Sequence, residues 1–222
     1  MSGQNSRVLI IALVLILMGC KDFSLKPEIA VYNNDFESED YTGIEGVFIS
    51  IFESNRVMGF FNKRGFNLNL PSLPEHDFIR LTFDLYVHDS WEGNANLDGE
   101  ALDEKDSWVL EIDTAKNLKG SDILYYETTF SNGLCIPGFC YTQSFPDQFP
   151  LTNDAKKGAS LLTNGRCLWS NTPTGTSMYK MDLVFPHKDR TAVLTFYDKL
   201  NGNLCDESWS LDNLSVSTFK KE

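Results

Sequence analysis

The sequence predicts an all-β fold, an antiparallel β-sandwich. From Ile29 onward, short runs rich in β-branched and aromatic residues recur, and several alternate apolar and polar residues as a half-buried strand does. Polar clusters rich in glycine, asparagine, aspartate and proline separate these runs. Almost no helical periodicity is present after Ile29. Many short strands joined by turns are typical of a sandwich.

Eight strands are predicted along the chain. The longest, 77–88 (DFIRLTFDLYVH), alternates over its whole length, and 65–70 (GFNLNL) alternates over a shorter span. The others are 46–52, 108–113, 124–130, 178–185, 191–197 and 209–216. The stretches 92–106 and 131–175 are long for loops, and long loops on a sandwich commonly carry function.

The N-terminal residues predict export and lipidation. Ten apolar residues, 8–17, follow a weakly basic start and run directly into Met18-Gly19-Cys20. A helix of ten residues spans about 15 Å, about half of a bilayer core, so the run fits a signal peptide better than a transmembrane helix. Residues 17–20 (LMGC) resemble the lipobox of bacterial lipoproteins, which implies cleavage after Gly19 and a lipid on Cys20. The alternative is an ordinary secretory signal that ends near a cysteine.

That cleavage defines the expected organisation of the chain. It consists of a lipoprotein signal peptide over 1–19, a lipidated tether over 20–28, a β-sandwich domain over 29–218 and a tail over 219–222. Two or three acyl chains hold a protein stably at a membrane, whereas one chain does not. The Lys-Asp pair after the cysteine weakly resembles surface-export signals of Bacteroidetes lipoproteins. We expect the protein in the cell envelope outside the cytoplasm, at the outer membrane or the cell surface.

The charge balance excludes one class of partner. Removal of residues 1–19, whose only charged side chain is Arg7, leaves 203 residues with 18 basic and 31 acidic side chains. A net charge of about −13 repels a phosphate backbone, and no basic stripe interrupts the acidic residues. Nucleic acid is therefore not an expected partner.

Four cysteines remain once Cys20 is set aside. They are Cys135, Cys140, Cys167 and Cys205. An even number in an oxidising compartment predicts disulfides, with three pairings possible. We favour Cys135–Cys140, which closes a short loop, together with Cys167–Cys205, which joins distant segments. The alternative is a zinc site, for which these cysteines have poor ligand spacing.

Two segments that frame the domain contain candidate metal ligands. NNDFE stands at 33–37 near the start, and SLDNLSV stands at 210–216 near the end. They resemble the ends of jelly-roll modules of the carbohydrate-binding and galactose-binding-like kind, in which the first and last strands pair. The resemblance implies a structural Ca²⁺ held by Glu37 and Asp212, with Asp35 as a further candidate, and carboxylates are suitable ligands for this ion. The alternative is a solvated strand end at Glu37 and a simple turn at Asp212.

Two other segments are distinctive, DSWEG at 89–93 and DESW at 206–209. With LPEH at 73–76 and FDLY at 83–86, they resemble a recurrent extracellular β-sandwich module with no established chemistry. This resemblance covers about residues 35–216. It bears on the fold rather than the function, since a fold does not determine what a protein does.

Aromatic residues in the polar stretches are candidate ligand contacts. Trp91, Trp169 and Tyr141 each stand where a flat ring could stack on the C–H face of a sugar. For a tryptophan at a strand end, packing in the core is the alternative.

No catalytic motif is complete in the sequence. Glu111-Ile112-Asp113 begins the Glu-x-Asp-x-Glu pattern of laminarinase-type glycosidases, but Ala115 and Lys116 occupy the positions where the second glutamate is required. The three histidines do not stand in a recognised nucleophile motif. The chain is therefore not expected to be an enzyme.

These observations predict a membrane-anchored, exported lipoprotein with a binding module that is stabilised by calcium and binds glycan. One alternative is a non-catalytic accessory subunit that binds another protein of the envelope. A divergent glycan hydrolase is a further alternative.

Overall fold

A computed structural model describes residues 27–94, 105–113, 123–135 and 137–221. The predicted signal peptide and the predicted lipid site at Cys20 lie outside these residues. Within the described ranges the chain forms fourteen strands and no α-helix.

The strands are numbered in chain order. Their bounds are β1 Ile29–Asn34, β2 Ile44–Glu45, β3 Ile49–Phe52, β4 Asn55–Phe61, β5 Phe66–Leu70, β6 Phe78–Asp89, β7 Ser107–Asp113, β8 Leu124–Thr129, β9 Thr142–Gln143, β10 Asn153–Asp154, β11 Leu161–Thr163, β12 Thr176–Pro186, β13 Ala192–Lys199 and β14 Glu207–Phe219.

These strands form two main sheets. The larger has the order β11-β12-β6-β14-β4-β3, with β1 also paired to β14, and the smaller has the order β2-β5-β13-β7-β8. Strands β9 and β10 form a separate ribbon. All pairings between these strands are antiparallel. The predicted fold class is confirmed, and the first and last strands pair as the jelly-roll resemblance implies.

The alternation along β6 explains how the two sheets pack. Every second residue from Ile79 to Val87 is buried, and the residues between them are only half-buried. The ring of Phe83 lies 5.5 Å from that of Trp108 in β7 and 5.9 Å from that of Phe196 in β13, measured between centroids. Burying a side chain of this size contributes about 1.5–3 kcal/mol to folding. The apolar face of β6 is therefore the contact between the sheets.

The long central strands separate two ends of the sandwich. In β6, His88 is opposite Thr176 of β12 and Ser208 of β14, so the loops that follow β6 and precede β12 and β14 gather at one end, the loop end. The described chain begins at the other end, where Ile29 is opposite Thr218 of β14. The twelve residues of β6 place these two ends roughly 36 Å apart at about 3.3 Å per residue.

Strand β4 is absent from the predicted set because its turn has an unusual composition. The two residues that join β3 to β4, Glu53 and Ser54, have positive φ angles of 48° and 71°. Hairpin turns of this kind usually carry Asn-Gly or Asp-Gly. The stretch 131–175, expected to be loop, also contains the short strands β9, β10 and β11.

Candidate functional site

A recess lies at the loop end of the sandwich. It has a volume of about 160 Å³ and lies among the loops that follow β6 and β8 and the loop that precedes β12. Its lining consists of Ser90, Trp91, Glu92, Gly133, Leu134, Tyr141 and Trp169. All three residues predicted to contact a ligand therefore line one recess, although they are far apart in the sequence.

Trp91 lies beneath the recess. Its side chain is fully buried, its indole N–H donates to the backbone oxygen of Ser208 at 2.9 Å, and its ring packs edge-on against Phe130 at 6.2 Å. The ring is therefore part of the core. It supports the recess and offers no exposed face for stacking.

Trp169, Tyr141 and Leu134 supply partly exposed apolar surface. Trp169 and Tyr141 are half-buried, and Leu134 is 58% exposed. A Cβ atom on Gly133 would lie 2.3 Å from the Tyr141 ring, so only glycine lets this ring pack against the backbone. The two aromatic rings come from different loops and are available to a ligand.

Ser90 and Glu92 add polar groups to the same recess. The Ser90 hydroxyl donates its one proton to the Asp206 carboxylate at 2.8 Å. Toward a ligand, the Ser90 oxygen can therefore act only as a hydrogen-bond acceptor. Glu92 is exposed. Burial raises the pKa of the Tyr141 hydroxyl, and the negative charge of Glu92 raises it further. The Glu92 carboxylate therefore places negative charge close to the Tyr141 ring.

Asp89 holds the loop that carries Trp169. Its carboxylate accepts the backbone N–H of Cys167 at 3.0 Å and that of Trp169 at 2.9 Å. A Cβ atom on Gly165 would lie 2.6 Å from the same carboxylate, so the loop passes close to Asp89 only because glycine stands there. Burial raises the pKa of Asp89, and these hydrogen bonds oppose that rise.

Two disulfides brace the loops around the recess, and both match the pairing favoured from the sequence. Cys135–Cys140 closes the segment between Leu134 and Tyr141. Cys167–Cys205 ties the Trp169 loop to the segment before β14. A site whose walls are fixed before binding loses less conformational entropy when the ligand arrives.

The two distinctive segments, 89–93 and 206–209, meet beneath the recess. The backbone N–H of Ser90 donates to the backbone oxygen of Asp206 at 2.8 Å, and Asp89 is opposite Glu207 between β6 and β14. Together with the Trp91 contact to Ser208, these bonds join residues more than a hundred positions apart. The resemblance at these segments therefore falls on the support of the recess.

A buried carboxyl pair, Asp106 and Glu207, lies in the same support. Asp106 accepts the backbone N–H of Glu92 at 2.5 Å, and Glu207 accepts that of Gly202. Burial raises the pKa of Asp106 well above its ordinary value, and the adjacent Glu207 raises it further. Two such carboxyls favour sharing a proton over carrying two charges. Sequence reasoning does not find this pair, because neither residue belongs to a motif that links them.

The predicted calcium ligands lie around the start of β4. Asp212 accepts from the side-chain amide of Asn55 at 2.6 Å, Glu37 accepts the backbone N–H of Arg56 at 3.0 Å, and Asp35 accepts that of Glu37 at 3.1 Å. Burial raises the pKa of Asp212, and nearby negative charges, Glu37 among them, raise it further. In the described part of the chain, no group of three or more His, Cys, Asp or Glu side chains is placed to hold a metal ion. Calcium binding at Glu37 and Asp212 stays a prediction.

The fold and the recess define an antiparallel β-sandwich with a small loop-lined cavity at one end. No protein-family model and no curated protein matches the sequence. Among solved structures, the chain is similar to a carbohydrate-binding module (CBM6cm-2) from Cellvibrio mixtus lichenase 5A in complex with cellotriose. The identity is 7%, the TM-score is 0.35, and the match covers 86% of this chain and 98% of that one. A likeness at this level carries no argument about the ligand.

Proposed function

We propose that this protein binds carbohydrate in the recess at the loop end. The observation that carries the proposal is the meeting of Trp169 and Tyr141 with Ser90 and Glu92 in one braced cavity. A sugar ring has apolar C–H faces that suit an aromatic plane and hydroxyl groups that need hydrogen-bond partners. A small set of placed polar groups beside aromatic walls supplies both.

A glycan array, followed by calorimetry on the glycan bound best, tests the proposal with the purified full chain. Trp169→Ala should weaken binding at least about tenfold, since loss of about 1.4 kcal/mol corresponds to that factor. Tyr125→Ala is the matched control, because Tyr125 is an exposed ring on β8 and does not line the recess. Equal losses in the two variants, or no array signal from the folded protein, would reject carbohydrate binding at this site.

A second candidate function is binding of another protein of the envelope. Leucine side chains are exposed near the recess: Leu134 is 58%, Leu168 is 55% and Leu204 is 42% exposed. Exposed apolar side chains grouped together are common where proteins associate. Chemical crosslinking on intact membranes should then return one partner in constant ratio, and Leu168→Lys should abolish its recovery.

We further propose that a lipid on Cys20 anchors the protein at a membrane outside the cytoplasm. The support is the sequence LMGC at 17–20 after the apolar run. Among the described residues, no helix is long and apolar enough to cross a bilayer. Metabolic labelling with a palmitate analogue should mark the full chain, and Cys20→Ser should remove the label and release the protein from membranes. Labelling that persists in Cys20→Ser would refute the anchor.

A further inference from the structure

We propose, on the basis of the carbohydrate-binding function above, that the recess holds a single uncharged sugar ring at the end of a glycan chain. The competing mode is binding of an internal stretch of several rings. Two features of the described structure favour the end of a chain, namely the size of the recess and its construction, and a third, its charge, favours an uncharged ring.

The size of the recess matches one ring. Its volume is about 160 Å³, whereas pockets that enclose a drug-sized ligand have roughly 300–1,000 Å³. An internal stretch would need a longer surface with several contact points. The recess has room for one ring to make all its contacts, with the remainder of the glycan directed to solvent.

The larger depression on the sheet face does not supply such a surface. It has a volume of about 410 Å³ and lies on the outer side of β6 and β12. Its charged side chains already pair: Lys180 with Asp84 at 2.9 Å, and Asp182 with Arg80 at 2.6 Å. A glycan lying there would have to compete with these ion pairs for hydrogen bonds.

The construction of the recess favours a ring that enters from outside. Buried Trp91 closes it from beneath, and the aromatic surfaces come from two loops that are each braced by a disulfide. Trp169 is held further by its backbone hydrogen bond to buried Asp89. A floor and fixed walls suit a compact group that is presented at the tip of a chain.

The charge of the recess favours an uncharged ring. The Glu92 carboxylate has about four lone-pair sites on its two oxygens, so it can accept hydrogen bonds from sugar hydroxyls in addition to the contacts that it already makes. The same carboxylate would repel a uronate, a sialate or a sulfated sugar, because the repulsion of like charges grows as water is excluded. The excess of acidic over basic residues along the chain adds to this repulsion.

Calorimetry with defined sugars tests the proposal. The probes are glucose, galactose, mannose, N-acetylglucosamine and fucose, then the series from monosaccharide to hexasaccharide of the sugar bound best, and its uronate. We expect affinities along the series to agree within about threefold, and the uronate to bind at least about tenfold more weakly. An affinity that rises about tenfold or more between the monosaccharide and the tetrasaccharide would overturn recognition of a chain end.

Glu92→Gln examines the charge argument separately. It should reduce the preference for the uncharged sugar over its uronate to within about threefold. Glu39→Gln, at an exposed glutamate that does not line the recess, should leave the preference unchanged. A preference that survives in Glu92→Gln would overturn the role of this carboxylate. If the folded protein binds no sugar or array glycan at all, the proposed carbohydrate function itself fails, which is distinct from binding that depends on chain length.

Discussion

The hydrogen bonds of Asp89 allow a quantitative prediction of how much this residue stabilises the loop that carries Trp169. Asp89→Ala removes the acceptor for the backbone N–H groups of Cys167 and Trp169. Asp89→Asn retains one oxygen acceptor of the same shape and tolerates the positive φ angle of 66° at this position. Asp89→Gly removes the acceptor but carries no penalty for that backbone angle.

The size of each effect follows from the two hydrogen bonds and the backbone angle. A hydrogen bond to a charged group contributes about 1.5–3 kcal/mol, so loss of both should cost about 3–6 kcal/mol. A left-handed alanine adds about 1–2 kcal/mol, which the glycine variant avoids. We expect Asp89→Asn to lose only about 1–2 kcal/mol, because both N–H groups reach Oδ1, whose place the amide oxygen takes, and the two bonds are weakened only by loss of the charge. Against an ordinary stability of about 5–15 kcal/mol, the alanine loss would be large.

Urea unfolding measures these losses through the midpoint and the slope, with tryptophan fluorescence as the signal. Calorimetry of glycan binding on the same variants shows whether Trp169 moves. The expected order of stability is wild type, Asn, Gly, Ala, with glycan affinity falling in step. If Asp89→Ala loses less than about 1.5 kcal/mol, the smallest value for one such bond, Asp89 does not hold this loop.

The remaining predictions concern buried titratable groups, the disulfides and calcium. Burial lowers the pKa of His88 to about 3, so unfolding takes up a proton below about pH 6.5 and stability should fall with acidification by up to about 1.4 kcal/mol per pH unit. His88→Gln should reduce the dependence of the urea midpoint on pH below about 6.5. An unchanged dependence would contradict the role of His88. Asp106 gives the opposite pH dependence, because its raised pKa means that the folded protein keeps a proton that the unfolded chain releases, so stability should fall as pH rises above about 4. Asp106→Asn should reduce that fall and leave the part that comes from Glu207, whose pKa burial also raises. Replacing Cys167 and Cys205, which are 38 residues apart, with serine should lower the free energy of unfolding in urea by about 4 kcal/mol. The same change at Cys135 and Cys140, which are 5 residues apart, should lower it by about 2 kcal/mol, because a shorter loop restricts the unfolded chain less. Equal losses would contradict this chain-entropy explanation. Asp212→Ala should lower the melting temperature in Ca²⁺ but change little in chelator, whereas equal losses in both would leave Asp212 a role in the turn alone.

The fold class could be predicted because its signals are local. The alternation of 77–88 reports a strand with one buried face, and β6 at Phe78–Asp89 agrees with it to within one residue at each end. Cysteine number and spacing limited the disulfides to a few choices, of which the favoured pairing is present. β4 was not predicted because Glu53 and Ser54, which form the turn before it, are not residue types typical of a hairpin turn.

The candidate site could be predicted only in part, since its geometry depends on contacts that are distant in sequence. Composition identified Trp91, Tyr141 and Trp169 as aromatic residues in polar stretches, and all three line the recess. It could not distinguish buried Trp91 from the two partly exposed rings. The role of Asp89 was also inaccessible, because its backbone partners lie 78 and 80 positions away.

The separation of the two ends of the sandwich limits what an anchored protein could reach. The described chain begins at one end, and the recess lies roughly 36 Å away at the other. With a lipid on Cys20, the eight tether residues 21–28 would separate the membrane from the start of the domain by at most about 28 Å. An upright domain would then present its recess outward, up to about 60 Å above the lipid. The recess could then bind glycans that lie farther from this membrane than the domain does. A sugar on the same membrane could enter the recess only if the domain reversed its orientation.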